Sequence, residues 1–247
     1  MASNAEHDSA SDILSGPAPA SIKANVINFY DTDVDACKGR FAMTIDNVLT
    51  QKECEDLLKL FRPPDNNWPL ADVRTDDGSY KVDPDFRFSG RISYTSQPLA
   101  DRLFARIRPL LRDIVDLKAS EITRWNPIKQ QWRISRLRDE LHFLKYGPGQ
   151  YYKPHCDLQS IDRDMHESFF SVILYLNGGC DGNDVVEGGA TRFANDFENP
   201  GAGKLDINPK AGRLLIYQQR FLYHEGVEVT KGTKYVMRGS LMYAQTR

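Results

Sequence analysis

His155 and Asp157 stand two residues apart in Tyr146-Gly-Pro-Gly-Gln-Tyr-Tyr-Lys-Pro-His155-Cys-Asp157, and His224 and Lys234 follow downstream. Two imidazoles and one carboxylate suit a metal that must keep coordination positions open. Fe(II) held on one face by such a set has three positions left, enough for a bidentate cosubstrate and dioxygen. A lysine at a fixed distance past the second histidine is placed to hold the far carboxylate of that cosubstrate. A His-x-Asp tripeptide alone carries little weight.

The order of features around the tripeptide is what gives it weight. A strand-like run over 141–146 leads into it, and the apolar run 169–176 follows. Gly188-Gly-Ala-Thr191-Arg-Phe193 comes next, then the run 211–217, then His224. In this order the region from about Arg138 to Tyr243 resembles the catalytic domain of the Fe(II)- and 2-oxoglutarate-dependent dioxygenases, in their prolyl 4-hydroxylase-like branch. The matching pieces are Tyr-x-x-Gly-Gln-x-Tyr-x-x-His-x-Asp, Tyr-Leu-Asn, Gly-Gly-x-Thr-x-Phe and His-x-Gly-x-x-Val-x-x-Gly-x-Lys.

The resemblance implies that His155, Asp157 and His224 ligate iron and that Lys234 pairs with the C5 carboxylate of 2-oxoglutarate, with the hydroxyls of Tyr146 and Thr191 near that carboxylate. It implies no catalytic side chain beyond the metal site. The cofactors would be Fe(II), 2-oxoglutarate and O2, with ascorbate to keep the iron reduced, and the products succinate, CO2 and an oxidised, most simply hydroxylated, substrate. Arg238 competes with Lys234 for the carboxylate, because positions 234, 236 and 238 of a strand share one face.

The elements that must position these groups are legible in outline. Residues 1–21 are rich in Ala, Ser, Pro and Asp and are expected to be disordered. Thr50-Gln-Lys-Glu53 is a capping-box signature that opens a helix with Cys54, Leu57, Leu58 and Phe61 on its apolar face, stopped by Pro63-Pro64. A second helix starts near Ser96 and Pro98 and carries Leu99, Leu103, Ile107, Leu111 and Ile114 in register, with a possible kink at Pro109. From residue 134 onward, β-branched and aromatic runs separated by Gly, Pro and Asn read as strands. The expected fold is mainly β with flanking helices: a double-stranded β-helix, or jelly-roll, core. A single domain over 22–247 would divide into a helical and loop support region, 22–133, and the core with the iron site, 134–247.

Composition narrows the partners. The 247 residues are 40% hydrophobic and carry a formal charge of −2, which gives no electrostatic footprint for nucleic acid or a membrane surface. No apolar run approaches the ~20 residues that span a bilayer. The start of the chain has no basic segment followed by an apolar core, so the expected location is cytoplasmic, with the nucleus open. Cys37, Cys54, Cys156 and Cys180 have no regular spacing and read as reduced thiols.

The expected substrate is a small or amino-acid-like molecule, because no peptide-binding module precedes the motif block. The polar stretch 66–90 would then be a loop or hairpin closing over it, with Arg91 first, and Arg138 or Arg136 next, on its carboxylate. Trp125 and Trp132 read as core, and His142 as a strand residue near the site; His166 and His7 lack ligand spacing. The alternatives are a peptidyl-prolyl hydroxylase acting on a protein, and a non-catalytic metal-binding β-barrel module.

Overall fold

A computed structural model describes residues 13–75, 77–117, 131–179, 185–199 and 201–246. His7, Trp125 and Cys180 lie outside the described residues.

Two antiparallel sheets face one another. The larger runs in the order Lys23–Val26, Ala42–Asp46, Leu214–Gln218, Glu167–Tyr175, Lys234–Thr246, Gln131–Leu137 and Asp116–Leu117; Glu140–Tyr146 also pairs with Lys234–Thr246 and takes Gly90–Thr95 on its other side. The smaller runs Lys204–Ile207, Thr191–Ala194, His224–Gly226, Tyr151–His155, Arg87–Phe88. This is the expected jelly-roll. Strands before residue 134 join both sheets: Ala42–Asp46 lies inside the larger one, and Arg87–Phe88 ends the smaller.

Alternation along the central strands sorts the core into two layers. Phe143, Leu174, Leu214, Ile216 and Met237 pack with the helices in one cluster, whereas Leu144, Tyr175, Leu215, Tyr217 and Val236 pack with Phe193 and Leu222 in another, between the sheets. Central strands covered on both faces read as nearly unbroken apolar runs. The polar exceptions stand out against them. Ser171 and Tyr217 are cross-strand partners, and Lys234 and Arg238 oppose Tyr146 and His142.

The helices buttress the outer face. Gln51–Phe61 begins at Thr50, whose Oγ1 accepts from Glu53 N (3.2 Å) while Thr50 N donates to the Glu53 carboxylate (2.8 Å), the reciprocal pair expected. The same carboxylate takes Arg106 Nη2 at 2.6 Å, tying this helix to the second, Gln97–Ile107. That second helix is capped by Ser96 and ends earlier than its stripe suggested: Arg108–Leu110 and Arg112–Ile114 are 3₁₀ turns. Pro109 has no N–H to continue the ladder, yet Leu111 and Ile114 remain buried.

The expected disordered stretch 1–21 needs correction at its end. Leu14 is buried among the helices' apolar side chains, and Arg102 and Arg106 donate to the carbonyls of Ile13 and Gly16. One Ile-Leu pair in a polar run supplies no periodicity, so this anchor is invisible to pattern reading. Among the described residues no helix is long and apolar enough to cross a membrane.

Candidate active site

His155 and His224 oppose each other across neighbouring strands of the smaller sheet, and a bulge between Tyr152 and His155 shifts the register just before the pair. Asp157 follows the strand end and is buried. One Asp157 oxygen, Oδ1, lies 3.7 Å from His155 Nε2; the other, Oδ2, lies 4.0 Å from His224 Nε2. Those spans suit one metal ion about 2 Å from each donor atom, and these three residues form the metal-competent cluster found among the described residues.

The surroundings set the donors. His155 Nδ1 lies 2.8 Å from the Lys153 carbonyl, and His224 Nδ1 lies 3.2 Å from that of Leu222. A carbonyl can only accept, so each Nδ1 carries the proton and each Nε2 keeps its lone pair for a metal. Burial, and then His224, push the His155 imidazole down to about 3; burial also lowers His224. Burial alone would raise Asp157, but Arg238 and the two imidazoles hold it well below the usual carboxylate range. Two neutral imidazoles and a carboxylate are the protonation states a divalent cation requires.

Asp157 is held by three further groups. Ser171 Oγ donates to Oδ2 at 2.5 Å, the Tyr217 hydroxyl donates to it at 2.7 Å, and Arg238 Nη2 contacts Oδ1 at 2.8 Å. Arg238 shares the inward face with Lys234, as its spacing implied, but it is engaged at the triad.

Lys234 lies deeper, in a narrow inner cavity that also touches all three members of the triad. Its ammonium donates to the Gly189 carbonyl at 2.7 Å and sits 4.3 Å from the centre of the Tyr146 ring. Gly189 adopts φ 69°, and a Cβ there would stand 3.2 Å from Lys234 Cδ, so this glycine gives the lysine its room. No carboxylate pairs with Lys234 among the described residues, and burial pushes it down to about 7. Thr191 lines the same cavity, its hydroxyl 2.7 Å from the Tyr175 hydroxyl.

An outer cavity of about 690 Å³ opens from the triad to solvent. Stretch 66–90 forms its rim. Asp72–Arg74 and Tyr80–Val82 pair as a two-stranded hairpin, the second of the two forms expected, and Arg87–Phe88 joins the smaller sheet. Arg91 and Arg138 both line this cavity, paired with Asp72 (2.8 Å) and Glu140 (2.9 Å). Arg136 is paired with Asp162 and Asp164 instead. His142 lines the cavity and contacts Ser93, whereas Trp132 is core.

Residues 141–241 match the model of the 2OG-Fe(II) oxygenase superfamily. The matched segment carries the whole triad and Lys234. This oxygenase is an enzyme that uses Fe(II), 2-oxoglutarate and O2. Among solved structures it is similar to a Pseudomonas putida prolyl-4-hydroxylase (16% identity, 94% of this chain and 97% of that one, TM-score 0.49). It is also similar to a viral collagen prolyl hydroxylase from Paramecium Bursaria Chlorella virus-1 (18% identity, 81% and 95%, TM-score 0.45). Likenesses this distant do not bear on the oxygenase's substrate. No curated protein matches the sequence.

Sequence reasoning missed Ser171, Tyr217, Tyr175, Tyr152 and Arg87. The first two carried a usable signal, as hydroxyls inside apolar strands. Tyr152 stacks on His155 at 3.6 Å, but one tyrosine among several in the motif gives no hint of that.

Proposed function

We propose that this oxygenase hydroxylates a small, amino-acid-like substrate, with His155, Asp157 and His224 holding Fe(II) and Lys234 binding the C5 carboxylate of 2-oxoglutarate. The observation that carries this is Lys234: a buried ammonium with no carboxylate partner among the described residues, in a cavity shared with the triad. A buried cation at that place is costly unless an anion joins it. The bound iron and 2-oxoglutarate supply oxidative decarboxylation of the cosubstrate coupled to oxidation of a C–H bond.

The chain's own residues do the positioning. The backbone carbonyls behind His155 and His224 fix both rings, while Ser171 and Tyr217 orient the carboxylate. Lys234 and Tyr146 form the closed end of the cosubstrate pocket, with Thr191 and Tyr175 on its wall. Arg238 lies between the two cavities and faces both cosubstrate and substrate space. The hairpin over the outer cavity shields reacting groups from water.

An amino-acid-like substrate is favoured by the mixed charge of the outer cavity. Its guanidinium groups suit a carboxylate. Asp72 offers the complement, because Oδ2 is bound by Arg91 whereas Oδ1 has no donor among the described residues. The breadth and openness of the same cavity favour a second reading, in which it admits a prolyl side chain of a polypeptide. The test is succinate formation from 2-oxoglutarate with Fe(II), screened over free amino acids and proline-containing peptides, with metal binding measured in parallel. His155→Ala should lose both iron binding and turnover. Retention of wild-type iron affinity by that variant would refute the ligand assignment.

A further inference from the structure

Resting on the assignment of the inner cavity to 2-oxoglutarate, we propose that Arg87 binds a carboxylate of the primary substrate. The substrate is then a free carboxylic acid of amino-acid size, not an internal residue of a polypeptide.

Among the described residues, three of the five arginines that line the outer cavity are paired with carboxylates and Arg74 and Arg87 are not; Arg74 is exposed, whereas Arg87 is buried. Arg91 is paired with Asp72, Arg138 with Glu140, and Arg238 with Asp157. Arg87 lines both cavities and is only 8% exposed, yet no carboxylate pairs with it among the described residues. Its Nε donates to Ser89 Oγ at 3.2 Å and its Nη1 makes a long contact to the Asp72 carbonyl at 3.4 Å. Neither acceptor carries a charge, and Nη2 has no acceptor among the described residues. A largely buried guanidinium in that state is a fork waiting for an anion.

Position selects which anion. The guanidinium carbon sits 4.6 Å from the centre of the Tyr152 ring, whose other face stacks on His155 at 3.6 Å. Arg87 is thus one ring removed from the His155 imidazole. Arg87 shares the walls of both cavities with His155 and Asp157, so a carboxylate bound there lies in the triad's own cavity and suits a short molecule. An internal prolyl residue has no carboxylate to place there, since its carbonyl is tied up in an amide.

The wider field agrees. His142 lines the outer cavity and is pushed down to about 4, by burial first and then by Arg238, Arg91, Arg87 and Arg138. It is therefore neutral, but the four arginines it reports make the cavity attractive to anions.

The test uses the full chain loaded with Mn(II), which takes the same nitrogen and oxygen ligands, together with 2-oxoglutarate. The common L-amino acids and their primary amides are titrated by calorimetry. At least one acid should bind, and its amide should bind about tenfold more weakly or worse. Arg87→Ala should weaken that acid by roughly tenfold to a hundredfold, and the loss should fall on the acid, not on 2-oxoglutarate. Arg87→Lys, which keeps the charge but not the fork, should fall between. A panel in which no acid binds, or in which acids and amides bind alike, overturns the proposal. So does an Arg87→Ala protein that loses 2-oxoglutarate and keeps the acid. Failure of the wild type to take up 2-oxoglutarate, seen before any acid is added, overturns the inner-cavity assignment beneath it.

Discussion

Replacing Lys234 by methionine should make the ligand-free protein more stable while destroying its affinity for 2-oxoglutarate. The lysine is 3% exposed, and burial moves it from an ordinary value of 10.5 to about 7. Keeping that ammonium in the folded chain at neutral pH therefore costs about 4 kcal/mol. Methionine fills a similar volume without charge, but it leaves the Gly189 carbonyl without its donor, which returns about 1–3 kcal/mol of the gain. The net expectation is a stabilisation of roughly 1–3 kcal/mol, read as a shift in the urea midpoint with the slope unchanged. The sign with pH follows from proton counting. Between about pH 7 and 10.5 the unfolded chain holds this proton and the folded chain has released it, so wild-type stability rises with pH and the variant's advantage shrinks. Below about pH 7 the advantage is full. Saturating 2-oxoglutarate should reverse the order, adding about 4.1 kcal/mol to the wild type at about a thousand times its Kd and nothing to the variant. A Lys234→Met protein less stable than wild type, or equally advantaged at pH 7 and pH 9, would refute the view of Lys234 as a buried cation awaiting an anion.

Three further outcomes are expected. Tyr217→Phe and Ser171→Ala each remove a donor to Asp157 and should weaken Fe(II) binding by about ten- to a hundredfold, measured by competition with a chelator, with little change in fold by circular dichroism. Glu53→Ala breaks both the helix cap and the enclosed pair with Arg106, and should lower unfolding free energy by about 3–5 kcal/mol in urea. Shortening the 72–82 hairpin should raise 2-oxoglutarate consumption relative to product formed, seen by comparing succinate with oxidised substrate; an unchanged ratio would mean that the hairpin does not shield the site.

The sequence made the barrel and the triad legible for different reasons. His155, Asp157, His224 and Lys234 sit in spaced motifs whose residue types answer to one chemistry. The central strands announce themselves because both their faces are covered, which leaves long apolar runs. Capping at Thr50 and Ser96 is local chemistry and was readable for the same reason. What was hidden depends on distant partners. Arg91's pairing with Asp72, and Arg87's place beside Tyr152 with no carboxylate partner among the described residues, are both set by the fold. Asp157 is buried against Arg238, a pairing that no sequence spacing announces, so Asp157→Ala would strand a guanidinium.

His155 and His224 are cross-strand partners although they lie far apart in the chain. Their pairing closes a long loop, and such contacts form slowly, after local structure is in place. A metal held by these residues would therefore not act as a nucleus in the way a zinc finger's metal does. The polypeptide must assemble its sheets first, and iron enters a finished cleft. In kinetic terms the metal acts as a late clasp: it slows the opening of the sheets and leaves the rate at which they first come together unchanged.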